Sequence, residues 1–309
     1  MPFIRLRMHA ICGVKGCLKF LAALAIAAAL AFSLPSLFGK PKRFPARGFD
    51  SKYLTDGEAA ERLQRYRDYL GIHPAEEAFH HGYSLKFRVE RQARGAEKVV
   101  REGVLSGLAL GHGLMRLDLP ATQAGEKGRC FLMHNGPEPV VLRCEYGANP
   151  EKLEAKNLFT PLGEGLSHSL FDLMLPFVFW DAEYEKSGKV VGRPSHLYAF
   201  SPPAWVRKVK PDLRRIRLAL DDVYDTPLRV EYFGKRGVPD RSFALVSLKK
   251  VGEDWVPKTL DGRDALTRSK TRFCITAAAT DLDLGVRSFK PEGMAEALPL
   301  REDVYVSIE

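Results

Sequence analysis

The chain of 309 residues is long enough for one large domain or two small ones, and its 45% apolar content can fill a sizeable core. Of its 47 basic residues, seven lie within residues 1–45, which contain no acid, so the remainder carries 40 basic residues against 38 acidic ones. A nearly neutral body has no long-range field for phosphates, and we therefore expect no nucleic-acid partner.

The N-terminal region has the composition of a targeting element. Basic residues precede Phe20, and residues 20–38 then run for 19 positions without a charge. The Ala-Leu-Ala tripeptide at 29–31 has the small-x-small pattern of a signal-peptidase site, so we expect cleavage after Ala31. The alternative is an uncleaved anchor, because 19 residues at ~1.5 Å each approach the ~30 Å apolar thickness of a bilayer. Residues 1–45 are thus interpreted as a signal peptide or N-terminal anchor plus linker.

A helix is the first regular element predicted after this region. Thr55 and Glu58 have the spacing of a capping box, in which each side chain bonds the backbone N–H of the other residue. Apolar residues then recur at three- and four-residue steps, the period of one helix face. These residues are Ala59, Leu63, Tyr66 and Leu70. Gly71 and Pro74 are expected to end the helix.

The apolar period changes to two from Tyr83 onward. The residues on one face are Tyr83, Leu85, Phe87 and Val89, and those on the other are Ser84, Lys86, Arg88 and Glu90. One face of this strand should therefore be apolar and the other in water. Met115, Leu117 and Leu119 alternate in the same way with Arg116 and Asp118.

Further alternating runs follow, less strictly, along the rest of the chain. They lie at 142–146, 216–220, 228–233, 243–248 and 272–276. Turn signals separate many of them, including the cluster at 135–139 and the pair Asp261-Gly262. Many short strands joined by hairpins predict a mainly β fold with some helix (α+β), built on a curled or sandwiched antiparallel sheet. The absence of a strand–helix–strand rhythm argues against a doubly wound fold.

Cysteines and one apolar run leave alternatives open. Cys130 and Cys144 flank the turn signal at 135–139, so a hairpin would place them nearly opposite, as a disulfide or as two buried thiols. The run from Leu162 to Trp180 is dense in Leu and Phe but is punctuated by Gly and Pro. We predict one or two short helices there, which either cover an open edge or mouth of the sheet or simply complete the core.

The sequence contains no complete catalytic motif. Residues 165–169 (Gly-Leu-Ser-His-Ser) are similar to a nucleophile elbow but end in Ser and follow no strand. His80 and His81 point to opposite faces if extended, which makes a poor metal site. Asp221 and Asp222 directly follow a strand-like run, where outward carboxylates are ordinary. We expect no enzyme, no cofactor and no metal.

The C-terminal third carries the most distinctive motif. A strand-like run at 243–250 is followed by Trp-Val-Pro-Lys at 255–258 and by Lys-Thr-Arg-Phe at 270–273. This Trp-x-Pro-Lys step between two strands resembles the LolA-like outer-membrane lipoprotein-sorting family, and the order of elements upstream is similar over residues 55–290. Within this motif we expect Trp255 to be a buried packing residue.

The resemblance implies a half-open β-barrel covered by short helices, around a hydrophobic cavity that holds acyl chains. It implies a LolA-like β domain at 46–290, followed by a C-terminal tail at 291–309. The alternation supplies the candidates that would line this cavity, namely Tyr83, Leu85, Phe87, Val89, Met115 and Leu117. The alternative is that these side chains are plain core.

The expected function is an exported periplasmic carrier for lipoproteins or other lipids. Its partners would be the acyl chains themselves and a handover protein at the inner or outer membrane. An uncleaved leader would instead favour a membrane-tethered envelope sensor or interaction module on the same fold. A chain of ~14 methylenes, each worth about 0.8 kcal/mol when buried, offers roughly 11 kcal/mol without any catalytic group.

Overall fold

The computed structural model describes residues 53–72, 81–93, 97–122, 125–163 and 166–308. The described residues belong to one compact unit, Phe49–Glu309. The expected leader at 1–45 and its cleavage site after Ala31 lie outside the described residues. Within the described part of the chain, no helix is both long enough and apolar enough to cross a membrane.

Helix α1 (Asp56–Leu70) has the predicted capping box. The Glu58 backbone N–H donates to Thr55 Oγ1 at 3.3 Å, and the Thr55 N–H donates to Glu58 Oε2 at 2.9 Å. Gly71 caps the other end. The predicted apolar face is confirmed, because Ala59, Leu63 and Tyr66 are buried.

Strands make up most of the remaining structure. In sequence order they are β1 (Gly82–Ala93), β2 (Val99–Gly107), β3 (Leu114–Leu119), β4 (Arg129–His134), β5 (Val140–Glu145), β6 (Glu151–Lys152), β7 (Ala182–Val190), β8 (Arg193–Phe200), β9 (Arg215–Asp221), β10 (Pro227–Phe233), β11 (Pro239–Val251), β12 (Asp254–Asp264), β13 (Ser269–Leu282) and β14 (Val306–Ser307). The other helices are α2 (Leu170–Met174), α3 (Ala204–Val209) and short 3-10 turns at Ala155–Phe159, Pro176–Phe179, Val286–Phe289, Pro291–Gly293 and Glu302–Val304.

These strands form one antiparallel sheet in the order β6-β5-β4-β3-β2-β1-β13-β12-β11-β10-β9-β8-β7, and β14 pairs with β13. Strands β1 to β6 follow one another outward to one end of the sheet. The chain then crosses to the other end, where β7 to β13 follow one another back until β13 pairs with β1, which joins the two halves. Among the described strands, the end strands β6 and β7 do not pair with each other, so the sheet is open. The predicted mainly β, α+β architecture with a curved antiparallel sheet is confirmed.

The main core lies on one face of this sheet. We call the face that carries Phe87 the inner face, and its opposite the outer face. Side chains of β1, β3, β9, β10 and β13 pack there against α1, α2 and the turn at Pro176–Phe179. The strand alternation thus puts the apolar side chains of β1 and β3 where the period-two pattern predicted.

The polar residues of β3 are buried, and the expectation that they face water is wrong. Arg116 is 1% exposed, because residues 284–296 pack across the outer face of β3. Its guanidinium donates to Asp118 Oδ2 at 2.8 Å and Oδ1 at 2.9 Å, and to the carbonyl oxygens of Ser288 and Gly293 at 3.0 and 2.9 Å. A period-two pattern separates the two faces of a strand but does not say which of them a distant segment covers.

The C-terminal residues also bury outer-face side chains of three other strands, β1, β4 and β5. Ser84 of β1 is buried on the outer face and bonds Ser106 Oγ at 2.9 Å and Tyr305 Oη at 2.8 Å. Cys130 and Cys144 are directly opposite on β4 and β5, as predicted, and both are buried free thiols. They face Phe289 and its neighbours in the outer cluster rather than the main core.

Two expectations for β12 are wrong. Trp255 is 49% exposed, whereas the next residue, Val256, is fully buried in the main core. Consecutive strand residues face opposite sides, so only one of the two can be inside. Asp261-Gly262 is no turn but lies within β12, where a Cβ on Gly262 would come within 2.8 Å of the Phe243 ring. This glycine allows close packing and is not needed to reverse the chain.

Candidate functional site

The six candidate cavity residues lie together in the main core. All are on the inner face of β1 and β3, and each is at most 9% exposed. The Phe87 ring stacks on Phe273 of β13 at a centroid distance of 4.7 Å. Gly103 of β2 leaves room for the Phe87 ring, because a Cβ there would lie 2.5 Å from its Cζ atom. The set forms one continuous apolar surface, and its role in binding stays a prediction.

A short segment closes this surface. We call residues 166–180 the cover segment; it contains α2 and the 3-10 turn Pro176–Phe179. Its core side chains are Leu166, Leu170, Phe171, Met174, Phe177, Val178 and Trp180. Phe177 meets Phe200 of β8 edge to face at 5.3 Å, and Phe171 lies 5.7 Å from Trp180. The predicted short helices are confirmed, and they both cover the inner face and complete its core.

Asp172 anchors the cover segment to the sheet. Its Oδ1 accepts hydrogen bonds from Arg241 Nη2 on β11 and from Tyr232 Oη on β10, both at 2.7 Å. Its Oδ2 accepts the Ser169 backbone N–H at 2.8 Å. Arg241 Nη1 also donates to the Ser167 carbonyl oxygen at 2.9 Å. One buried carboxylate therefore joins α2 to two strands.

Two further polar anchors hold the far end of the cover segment. Asn135 Nδ2 donates to the Met174 carbonyl oxygen at 2.7 Å. Arg67 of α1 donates to the carbonyl oxygens of Val178 and Trp180, each at 2.6 Å. Between these anchors the backbone of Leu175 is left-handed, with φ of 54°, a conformation that is strained for a residue other than glycine.

His168 lies within the core at the start of the cover segment. Its ring packs 4.5 Å from that of Phe243 and 5.6 Å from that of Phe273. Burial lowers the pKa of His168 to about 4; Asp172 opposes this shift and Arg241 adds to it. The imidazole is thus neutral at neutral pH.

A small cleft opens at the edge of the core. It has a volume of about 180 Å³ and lies between β4–β5 and residues 153–170. The side chains that line it include Phe131, Leu153, Leu162, Leu170, Arg129 and Arg143. Sites that hold a small molecule usually measure ~300–1,000 Å³, so this cleft is smaller than such a site.

No local sequence pattern indicates the polar anchors of the cover segment. Arg241 and Asp172 are 69 residues apart, and Arg67 and Val178 are 111 residues apart. Neither pair has a local pattern that would have marked it. Asn135 was interpreted only as a turn residue, which it also is, because its Oδ1 accepts the Gly136 N–H at 3.0 Å.

Solved structures with the same architecture are found in several bacteria. A domain described as an outer-membrane lipoprotein-sorting protein from Vibrio parahaemolyticus matches with a TM-score of 0.57 and 14% identity, over 74% of this chain and 95% of that one. A DUF1329 family protein from Desulfovibrio piger matches with a TM-score of 0.58 and 13% identity, over 76% and 98%. A LolA superfamily protein from Nitrosomonas europaea matches with a TM-score of 0.52 and 11% identity, over 75% and 97%.

The class of fold follows from the sheet, its helical cover and these neighbours. The chain has the LolA-like fold, an open antiparallel sheet whose apolar inner face is covered by short helices. The resemblance inferred from the C-terminal motif is confirmed at the level of the fold. No family model matches the sequence, and no curated protein matches it.

Proposed function

We propose that the chain is an exported carrier that shelters the acyl chains of a lipid or lipoprotein between the inner face and the cover segment. One observation supports this most strongly: the apolar inner face is covered by α1 and the short segment 166–180, and the described residues form no second sheet over it. A short cover can leave and return without unfolding the strands beneath it.

Ligand uptake in this proposal exchanges side chains for acyl chains. Phe171, Phe177 and Trp180 occupy the inner face, and an acyl chain offers the same apolar contacts when they withdraw. Leu175 is a natural pivot, because its left-handed backbone separates α2 from the following turn and its strain is relieved by movement. The polar anchors at Asp172 then set how readily the cover opens.

The energies are compatible with such an exchange. A chain of ~14 methylenes offers roughly 11 kcal/mol when fully buried. A hydrogen bond to a charged group contributes ~1.5–3 kcal/mol. The acyl chain first replaces the burial of Phe171, Phe177 and Trp180, at ~1.5–3 kcal/mol each, and the remainder offsets the release of one or two anchors of the kind formed by Arg241 and Asp172.

The proposed location is the periplasm, because residues 1–45 have the composition of a targeting element. A carrier in this compartment would receive its cargo at one membrane and release it to a partner protein at the other. Retention of the leader would instead favour a membrane-tethered sensor or interaction module on the same fold.

The test is mass spectrometry of the full chain purified from envelopes, which reports both the bound lipid and the mature N-terminus. The informative variant is Leu153→Asn, because Leu153 is half-buried at the cleft and its change should leave the fold intact. Val100→Asn is the matched control, since Val100 is exposed on the outer face of β2. Phe87→Glu is a harsher change, which tests folding as much as binding.

We expect acyl lipid with the wild type and with Val100→Asn, and at least fivefold less with Leu153→Asn. Circular dichroism and a melting curve establish first that all three proteins are folded. Equal lipid recovery from Leu153→Asn and wild type would overturn the proposed site. Absence of lipid from every protein, with a leader still attached, would replace the carrier by the tethered module.

A further inference from the structure

Arg101 is a buried cation, and two of its guanidinium nitrogens have no hydrogen-bond partner among the described residues. It lies on β2 directly opposite Val89, and opposite residues of an antiparallel pair face the same side, so Arg101 faces inward. It is only 6% exposed, and neither its Nε nor its Nη2 has a hydrogen-bond partner. Arg116, the other deeply buried arginine discussed above, bonds a carboxylate and several carbonyl oxygens. An unpaired buried charge raises the free energy of the folded protein, and a bound anion would remove this cost.

Two more arginines share this part of the inner face. Arg129 of β4 pairs with Leu119, and Arg143 of β5 pairs with Phe131, and both of these apolar partners belong to the main core. Burial lowers the pKa of Arg101, the positive charge of Arg129 lowers it further, and Glu126 opposes both effects. These three groups therefore interact electrostatically.

The charges of this group do not balance. Arg129 pairs with Glu126 at 3.1 Å, and Arg143 pairs with Glu151 at 2.6 Å. Arg101 has no such carboxylate among the described residues, so three cations face two anions. The excess of one positive charge is on the most deeply buried of the three.

The cleft brings two of these arginines together with the apolar core. Arg129 and Arg143 line it on one side, and Leu162 and Leu170 of the main core line it on the other. A Cβ on Gly163 would lie 3.8 Å from the Cδ of Arg101, so the Arg101 stem lies next to Gly163, the neighbour of the cleft residue Leu162. The cleft has a volume of about 180 Å³, which suits a head group rather than a whole lipid.

We propose that Arg101, with Arg129 and Arg143, binds the single anionic head group, a phosphate or a carboxylate, of an amphiphile whose tail enters the apolar inner face. Guanidinium groups bind such oxyanions through paired hydrogen bonds, and burial strengthens that contact. The inference rests on the proposed acyl-binding function and adds to it the charge of the cargo. Arg101 then favours anionic ligands, because an uncharged lipid would leave its buried charge without a partner.

The test compares three probes on the delipidated full chain by isothermal titration. They are dodecyl phosphate, the uncharged dodecyl maltoside with the same tail, and inorganic phosphate, the two detergents below their micelle concentrations. We expect dodecyl phosphate to bind at least about tenfold more tightly than dodecyl maltoside. Arg101→Met should abolish this preference and leave dodecyl maltoside affinity unchanged. The matched control is Arg229→Met, which should keep the preference, because Arg229 lies on the outer face of β10.

Each other outcome has a defined meaning. Equal affinity of the wild type for the two detergents would overturn the head-group site while leaving acyl binding in place. Binding of neither detergent would overturn the carrier proposal itself. Inorganic phosphate that binds as tightly as dodecyl phosphate would show a site for the free anion instead. The Tm of Arg101→Met should equal or exceed that of the wild type; a lower Tm would show that Arg101 is neutralised within its own chain, which overturns the proposal.

Discussion

Arg241 Nη2 on β11 lies 2.7 Å from Asp172 Oδ1 on α2, and this contact joins the cover segment to the sheet inside the core. The Asp172 carboxylate is buried, and Tyr232 Oη donates to the same Oδ1 atom at 2.7 Å. A buried carboxylate of this kind is stable only while its donors remain in place. The cover is thus held by a contact whose loss can be measured.

Arg241→Met should destabilise the protein by ~3–5 kcal/mol, because Asp172 then stays buried without its cation. Tyr232→Phe removes only one neutral donor and should cost ~1–3 kcal/mol. Urea denaturation gives both values, and hydrogen exchange should accelerate first at 167–180. If the two variants lose equal stability, the charge of Arg241 does not hold the cover.

Arg116 is predicted to hold the C-terminal segment on the outer face. Arg116→Leu should cost ~3–5 kcal/mol, because Asp118 is left buried without its cation and keeps the hydrogen bond from Tyr146. The double variant Arg116→Leu/Asp118→Leu should recover much of that loss, since no buried charge remains. A melting-curve series on the two single variants and the double variant measures the coupling. Simple additivity of the two single effects would contradict a buried ion pair.

His168 is predicted to make stability depend on pH in a defined window. Its pKa is lowered from 6.5 to about 4 in the folded protein, so the unfolded chain binds the extra proton between these values. Stability should therefore be complete above pH 6.5 and fall by up to about 3 kcal/mol as the pH drops towards 4. His168→Phe keeps an aromatic ring beside Phe243 and should remove this part of the dependence. Identical urea midpoints against pH for the two proteins would refute the assignment.

Trp255 and Val256 offer a test between adjacent residues. Trp255→Ala should change stability by less than ~1 kcal/mol, because half of this side chain is in water. Val256→Ala should cost about 2 kcal/mol, because Val256 is fully buried in the main core. Equilibrium unfolding in urea decides between them, and the reverse order would mean that β12 presents its other face to the core.

Local patterns decided a large part of the fold. The capping box of Thr55 and Glu58 predicted the start of α1, because both partners lie within four residues of each other. The period of two from Tyr83 to Val89 predicted the inner face of β1, because alternate strand residues always share a side. The cross-strand position of Cys130 and Cys144 followed from the length of the hairpin between them.

Only the tertiary structure decided which faces are covered and which charges are paired. Arg116 donates to the carbonyl oxygen of Ser288, 172 residues further along the chain, and no pattern within β3 contains that information. The sequence by itself determined that the two sides of each strand differ, and that one of them forms a core. It did not determine that Arg101 faces this core with two nitrogens unpartnered among the described residues, because burial depends on segments that the chain brings together only when it folds.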